Sequence, residues 1–97
     1  MIAIPEKLYG IFGFPLGHSL SPLLHNFGFQ EHGIPAVYMA FPVPPEDLGR
    51  AMEGVRSLPV SGASVTIPHK QAVMEFLDGV SDRARVVGAV NTLYWSD

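Results

Sequence analysis

The 97-residue chain contains no cysteine. That excludes disulfides, thiolate metal sites and a cysteine nucleophile. Charge is also scarce: 15% of residues, with six Lys and Arg against nine Asp and Glu, for a formal net charge of −3. Six scattered cations do not make the basic stripe that a nucleic-acid partner requires. No apolar run approaches the ~18 residues of a membrane span. The N-terminus lacks the charged segment, apolar stretch and small-residue cleavage site of a secretory signal. What is present favours a folded domain. Hydrophobic residues make up 47% of the chain, too many for disorder to be the main state. A chain of this length buries roughly two-thirds of its unfolded surface, enough for one core. The expectation is one cytoplasmic domain with neither nucleic acid nor membrane as partner.

Ten glycines and nine prolines are spread along the chain, punctuating short elements. Leu8 to Gly13 reads as a buried strand and Phe14 to Leu20 as a loop. Ser21-Pro22 opens a helix, serine as N-cap and proline at the first helical position. Leu23, Leu24 and Phe27 supply that helix with apolar residues, and Gly33 stands at its C′ position. Ala36 to Phe41 is the second strand. Pro44 and Pro45 start a second helix, with Leu48, Ala51, Met52 and Val55 as its apolar stripe. Gly62 to Ile67 is the third strand. A helix from Pro68 carries Val73, Phe76 and Leu77 and stops at Asp78-Gly79. Ser81-Asp82 caps a short helix over Arg83 to Val87, and Gly88 to Trp95 is the fourth strand. Strands alternating with helices imply an α/β fold in three layers, a mostly parallel sheet with helices on both faces. The chain stops at Asp97, straight after this apolar fourth strand, which suggests a segment of something longer.

In an open parallel sheet, ligands bind beyond the carboxyl ends of the strands. Here the first strand leads to His18, Ser19 and Ser21, and the third to Thr66, His69 and Lys70. If those strands are neighbours, hydroxyls, helix N–H groups and one ammonium converge on a cleft. Such a cleft suits a small, polyhydroxylated, anionic ligand and does not suit a metal. Lys70 is one of only two lysines and sits in the first turn of a helix, where the dipole disfavours a cation. Held there, its ammonium is a candidate proton donor or acceptor. A capping role accounts for Ser21, which leaves Ser19 as the surplus hydroxyl. His25 and His32 share a helix face two turns apart, too far for one metal, and a structural or surface role fits all four histidines better. Gly10-x-x-Gly13-x-x-x-Gly17 is not a G-x-G-x-x-G fingerprint, and no phosphate-cradling G-x-x-x-x-G-K-[ST] loop occurs. Neither does a G-x-S-x-G nucleophile elbow. Any dinucleotide site lies outside these residues.

Three segments, Gly13-Phe-Pro-Leu-Gly-His-Ser-Leu-Ser-Pro-Leu-Leu-His-Asn26, Gly62-Ala-Ser-Val-Thr-Ile-Pro-His-Lys70 and Gly88-Ala-Val-Asn-Thr92, stand in this order over essentially the whole chain. Together they resemble the substrate-binding domain of the shikimate dehydrogenase family. The resemblance implies residues 1–97 of a two-domain enzyme that reduces 3-dehydroshikimate to shikimate reversibly with NADPH, in the biosynthesis of chorismate and the aromatic amino acids. NADP would be bound by a C-terminal Rossmann domain absent from this chain. By motif, Ser19 and Ser21 would bind the substrate carboxylate, and Thr66 and Asn91 the ring hydroxyls. Lys70 would contact the reacting oxygen as the catalytic residue. The family writes its third-strand motif N-V-T-x-P-x-K, and Ser64 here replaces the Asn. Its catalytic aspartate follows in an N-T-D segment that Asp97 does not match. A quinate/shikimate dehydrogenase using NAD or NADP, and a non-catalytic small-molecule-binding module, remain as alternatives. Oligomeric state stays open, with Tyr94 and Trp95 expected at an uncovered edge.

Overall fold

The computed structural model describes residues 4–17 and 19–95, so His18 and Asp97 lie outside the described residues. Four strands form one sheet in the order β2-β1-β3-β4. Strands β1 (Lys7–Gly13), β2 (Ala36–Pro42) and β3 (Val60–Val65) are parallel, and β4 (Thr92–Tyr94) runs antiparallel to β3. The helices are α1 (Ser21–Glu31), α2 (Leu48–Ser57), α3 (His69–Ala72) and α4 (Asp82–Val87). The fold is the α/β arrangement expected from the alternation of elements. The two central strands, β1 and β3, are adjacent, with Phe12 opposite Val65.

Side chains alternate across the strands, and the two sheet faces bury different chemistry. Phe12, Ala63 and Val65 point to one face, where they pack with Leu48, Met52, Val73 and Val90 into the main core. The helical stripe read for α2 supplies two of these, since Leu48 and Met52 are both buried. The other face carries aromatic and polar groups. Tyr9 meets Phe29 of α1, and the Tyr38 ring stacks on His25 at 4.1 Å between centroids.

Helix α1 does not turn its long apolar residues to the sheet. Leu20, Leu23, Leu24 and Phe27 are 63–68% exposed, while His25, Asn26 and Phe29 make the contacts. The reason is that β2 is an edge strand with backbone groups to satisfy. The Asn26 amide donates to the Tyr38 carbonyl and accepts from the Tyr38 N–H, both at 2.9 Å. One side chain thus replaces a missing strand partner and fixes the helix to the sheet edge.

Several boundaries differ from the sequence expectation. Ser21 is not the cap of α1. Leu20 holds that position with φ −92° and ψ −6°, so its carbonyl accepts from Leu24 N–H at 3.0 Å and Ser21 falls inside the first turn. The helix expected after Pro68 is an α-helical turn, α3, that tightens into a 3₁₀ segment over Val73–Phe76. Strand β3 starts two residues earlier than expected, and β4 pairs over only three residues. The short helix α4 follows its local signals. Ser81 Oγ accepts from Ala84 N–H at 3.1 Å, and Gly88 closes the helix at φ +79°. Gly33 likewise takes φ +65° after α1.

Candidate functional site

The carboxyl ends of β1 and β3 open onto a cleft of ≈ 400 Å³. Its polar side holds Ser19, Ser21 and Thr66. Its apolar side holds Ile11, Pro15, Leu16 and Ile67, with Gly17 at the loop. The strands deliver these residues through two turns, each containing a cis-proline, Phe14-Pro15 and Ile67-Pro68. The turns are tied to each other. Thr66 N–H donates to the Phe12 carbonyl at 2.9 Å, and Phe14 N–H donates to the Ile67 carbonyl at 3.1 Å. The parallel β1–β3 ladder is therefore continued into both turns, which brings two distant sequence segments to one rim.

The serines exchange the parts expected of them. Ser19 Oγ accepts the Ser21 N–H at 3.3 Å, so Ser19 is the one that serves the helix start. Among the described residues no hydrogen bond engages Ser21 Oγ, which is free to meet a ligand. Thr66 is half-buried, and its carbonyl accepts the His69 N–H at 3.0 Å. That bond curls the chain so that Lys70 follows within one turn. Lys70 is half-buried, and its carbonyl accepts the Val90 N–H at 2.8 Å. The Asn91 carbonyl in turn accepts the Val65 N–H at 2.8 Å. Backbone bonds thus chain Thr66, Lys70 and Asn91 together at the carboxyl end of β3.

Neither Lys70 nor Asn91 lines the cleft itself. Asn91 is exposed at the wall of a second, larger cavity of ≈ 720 Å³, which is bounded mainly by apolar groups such as Met52, Val55, Leu77 and Trp95. Its Oδ1 accepts from the Thr92 hydroxyl at 3.0 Å. The larger cavity also carries Arg56, Asp78, Ser81 and Arg83, but only the smaller cleft lies at the carboxyl ends of the parallel strands, where open α/β sheets bind ligands, and it is the candidate for chemistry. Ser64 stands on the α1 side of β3, where its Oγ accepts from the Tyr38 hydroxyl at 3.0 Å. A hydroxyl replacing the family's amide therefore accepts the bond that links β3 to β2.

Two groups shape the site in ways the sequence did not show: Gly13, and His69, which the sequence placed at the end of β3 without its partner. Gly13, at the end of β1, is packed so closely that a Cβ there would meet Thr66, Leu16 and the Ile67 carbonyl. His69 is buried behind the β3 turn, with Nε2 2.6 Å from the Val43 carbonyl. The flanking motif letters mark both regions, but neither letter announces its partner.

A dinucleotide site sets glycines in a strand-to-helix turn so that backbone N–H groups reach the pyrophosphate. The turn after β1 instead holds Pro15, which has no N–H, and Leu16, and both line the cleft. This turn does not fit a dinucleotide.

Residues 11–93 match the family described as the shikimate dehydrogenase substrate binding domain. A curated shikimate dehydrogenase (NADP(+)) of Maridesulfovibrio salexigens is 65% identical over 91 residues, covering 94% of this chain and 34% of the relative. One from Oleidesulfovibrio alaskensis is 64% identical over 94 residues, covering 97% of this chain and 34% of the relative. The crystal structure of shikimate 5-dehydrogenase from Listeria monocytogenes in complex with shikimate and NAD superposes with a TM-score of 0.92. It is 36% identical and covers 100% of this chain and 34% of that one. The chain spans about a third of the length of the curated relatives it matches. With the motifs, the sheet topology and the family match in agreement, the chain belongs to the shikimate dehydrogenase substrate-binding domain family.

Proposed function

We propose that this chain is the substrate-binding domain of an NADP-dependent shikimate dehydrogenase, holding shikimate or 3-dehydroshikimate while the ring carbonyl and the secondary alcohol interconvert. The observation that carries the reading is the shared cleft of Ser19, Ser21 and Thr66, three hydroxyls from two distant segments beside an apolar wall. That composition matches a polyhydroxylated ring bearing a carboxylate. The hydroxyls of Ser19 and Ser21 donate to the carboxylate, and Thr66 serves a ring hydroxyl from the cleft wall. Asn91 and Lys70 lie outside that lining and are held near it by backbone bonds at the carboxyl end of β3; the family motif assigns them the second ring hydroxyl and the reacting oxygen. Oxidation of the alcohol removes a hydride and a proton, and negative charge builds on the oxygen in transit. An ammonium there stabilises that charge and handles the proton. The hydride acceptor, NADP in the curated relatives' names, is held by a part of the enzyme outside these residues.

The test is a chimera in which this segment replaces the matching third of the Maridesulfovibrio salexigens relative. With NADP(+), it is expected to oxidise shikimate and to favour it over quinate. Lys70→Ala should lower kcat by about a hundredfold or more, the usual scale of lost acid–base help, with a smaller change in KM. A folded parent chimera that does not oxidise shikimate would support the non-catalytic binding module instead, and a folded Lys70→Ala chimera of undiminished kcat would remove Lys70 from the chemistry.

A further inference from the structure

His69 is the one buried polar residue among the described residues, 1% exposed. Its Nε2 lies 2.6 Å from the Val43 carbonyl oxygen. A carbonyl oxygen only accepts, so Nε2 carries a proton and donates. As mere filling, an imidazole is a poor choice. It loses its hydration on burial, whereas an aliphatic side chain of similar volume would gain from the same transfer. What the imidazole adds is direction, and its bond lies at a junction. Val43 N–H donates to the Gly13 carbonyl at 2.9 Å, and Gly13 opens the loop that carries Ser19 and Ser21. On the other side, His69 N–H donates to the Thr66 carbonyl, and the next residue is Lys70, anchored through its carbonyl to Val90 N–H. The imidazole therefore spans from the Thr66–Lys70 turn to the end of β2, and through Val43 to the start of the serine loop.

We propose that His69 is a positioning residue: its Nε2–H···O=C bond to Val43 sets the spacing between the Thr66–Lys70 turn and the Ser19–Ser21 loop. It touches no ligand and acts through the groups on either side. The identity of the ligand rests on the proposed function; the brace itself does not.

The test compares His69→Met, which keeps volume and loses the donor, with His69→Gln, which restores an N–H at similar reach, in the 97-residue chain. Thermal melts establish folding. Shikimate titration followed by amide NMR reads affinity, and hydrogen exchange of Val90 N–H, normalised to Phe12 N–H, reads the Lys70 anchor. His69→Met should weaken shikimate binding about tenfold, the scale of one lost hydrogen bond, and speed Val90 exchange. His69→Gln should recover affinity to within about threefold of the parent, again within the scatter of one hydrogen bond. A folded His69→Met chain with parental affinity and exchange overturns the proposal, as does His69→Gln binding no better than His69→Met. If the parent shows no shikimate-dependent shifts, the proposed function fails and the exchange arm alone decides the brace. Should His69→Met not fold, His69→Asn, too short to reach Val43, takes its place. If neither folds, His69 is a fold residue and the proposal is wrong.

Discussion

Gly13→Ala is the sharpest perturbation of the cleft that leaves every polar group in place. Gly13 is buried at the end of β1, and it is required for space. A Cβ there would press on Thr66 Cγ2 within any real contact distance, with Leu16 Cδ2 at 2.9 Å and the Ile67 carbonyl oxygen at 3.1 Å. Leu16 can swing its methyl aside. The Ile67 carbonyl is held by Phe14 N–H, and the Thr66 backbone by Phe12, so neither main chain gives readily. Thr66 must rotate about χ1 or move by about 1 Å, and either shift carries its hydroxyl off the cleft. Overpacking of this kind costs about 1–3 kcal/mol of stability, and losing the proposed Thr66 hydrogen bond to the ligand should weaken shikimate binding about tenfold. Thr66→Ser removes the offending methyl and keeps the hydroxyl. The double variant should therefore regain most of both losses, a coupling of about 1–2 kcal/mol. Urea midpoints and shikimate titrations of the four chains complete the cycle. A Gly13→Ala chain with parental midpoint and affinity would refute the packing argument. So would a double variant no better than Gly13→Ala.

Two further outcomes follow from groups away from the cleft. Arg56 Nη1 donates to Asp78 Oδ2 at 3.0 Å; that hydrogen bond, and then the charge of the guanidinium, hold the Asp78 carboxyl below its ordinary pKa. A carboxyl depressed in the folded state adds stability above its unfolded pKa and loses it as the pH falls through the folded value. Asp78→Asn should thus melt below the parent at neutral pH, by a small margin that shrinks at high salt because the pair is exposed. The margin should vanish in acid, and one that persists there contradicts the assignment. Ser81→Ala should cost about 0.5–2 kcal/mol by uncapping α4, with Ser81→Asp close to the parent; equal urea midpoints for all three would deny the cap.

The alternation of strands and helices was legible because its causes are local. Gly33 and Gly88 adopt the positive φ that ends a helix, and Ser81 caps as its neighbours suggest. The orientation of α1 was not legible. Its apolar letters pointed to Leu23, Leu24 and Phe27, yet the contacts run through His25, Asn26 and Phe29. The deciding demand came from the unpaired backbone of Tyr38 on an edge strand, and which strand lies at an edge is a property of the whole sheet. The Ser21 cap failed for a related reason: Leu20 entered the helical region and moved the first turn back by one residue.

For the site, the letters alone determined which residue types were at hand: hydroxyls after β1, a hydroxyl and a lysine after β3, an asparagine before β4, and no cysteine. They also determined the family, because three motifs stand in a fixed order along the chain. Only the tertiary structure decided who meets whom. The Phe12–Val65 register brought Thr66 to the serines, the Gly13 contact set how closely, and His69 reached Val43 across the sheet end. Those distances depend on strand order and register, which arise from the packing of both sheet faces at once, and no short stretch of sequence encodes them.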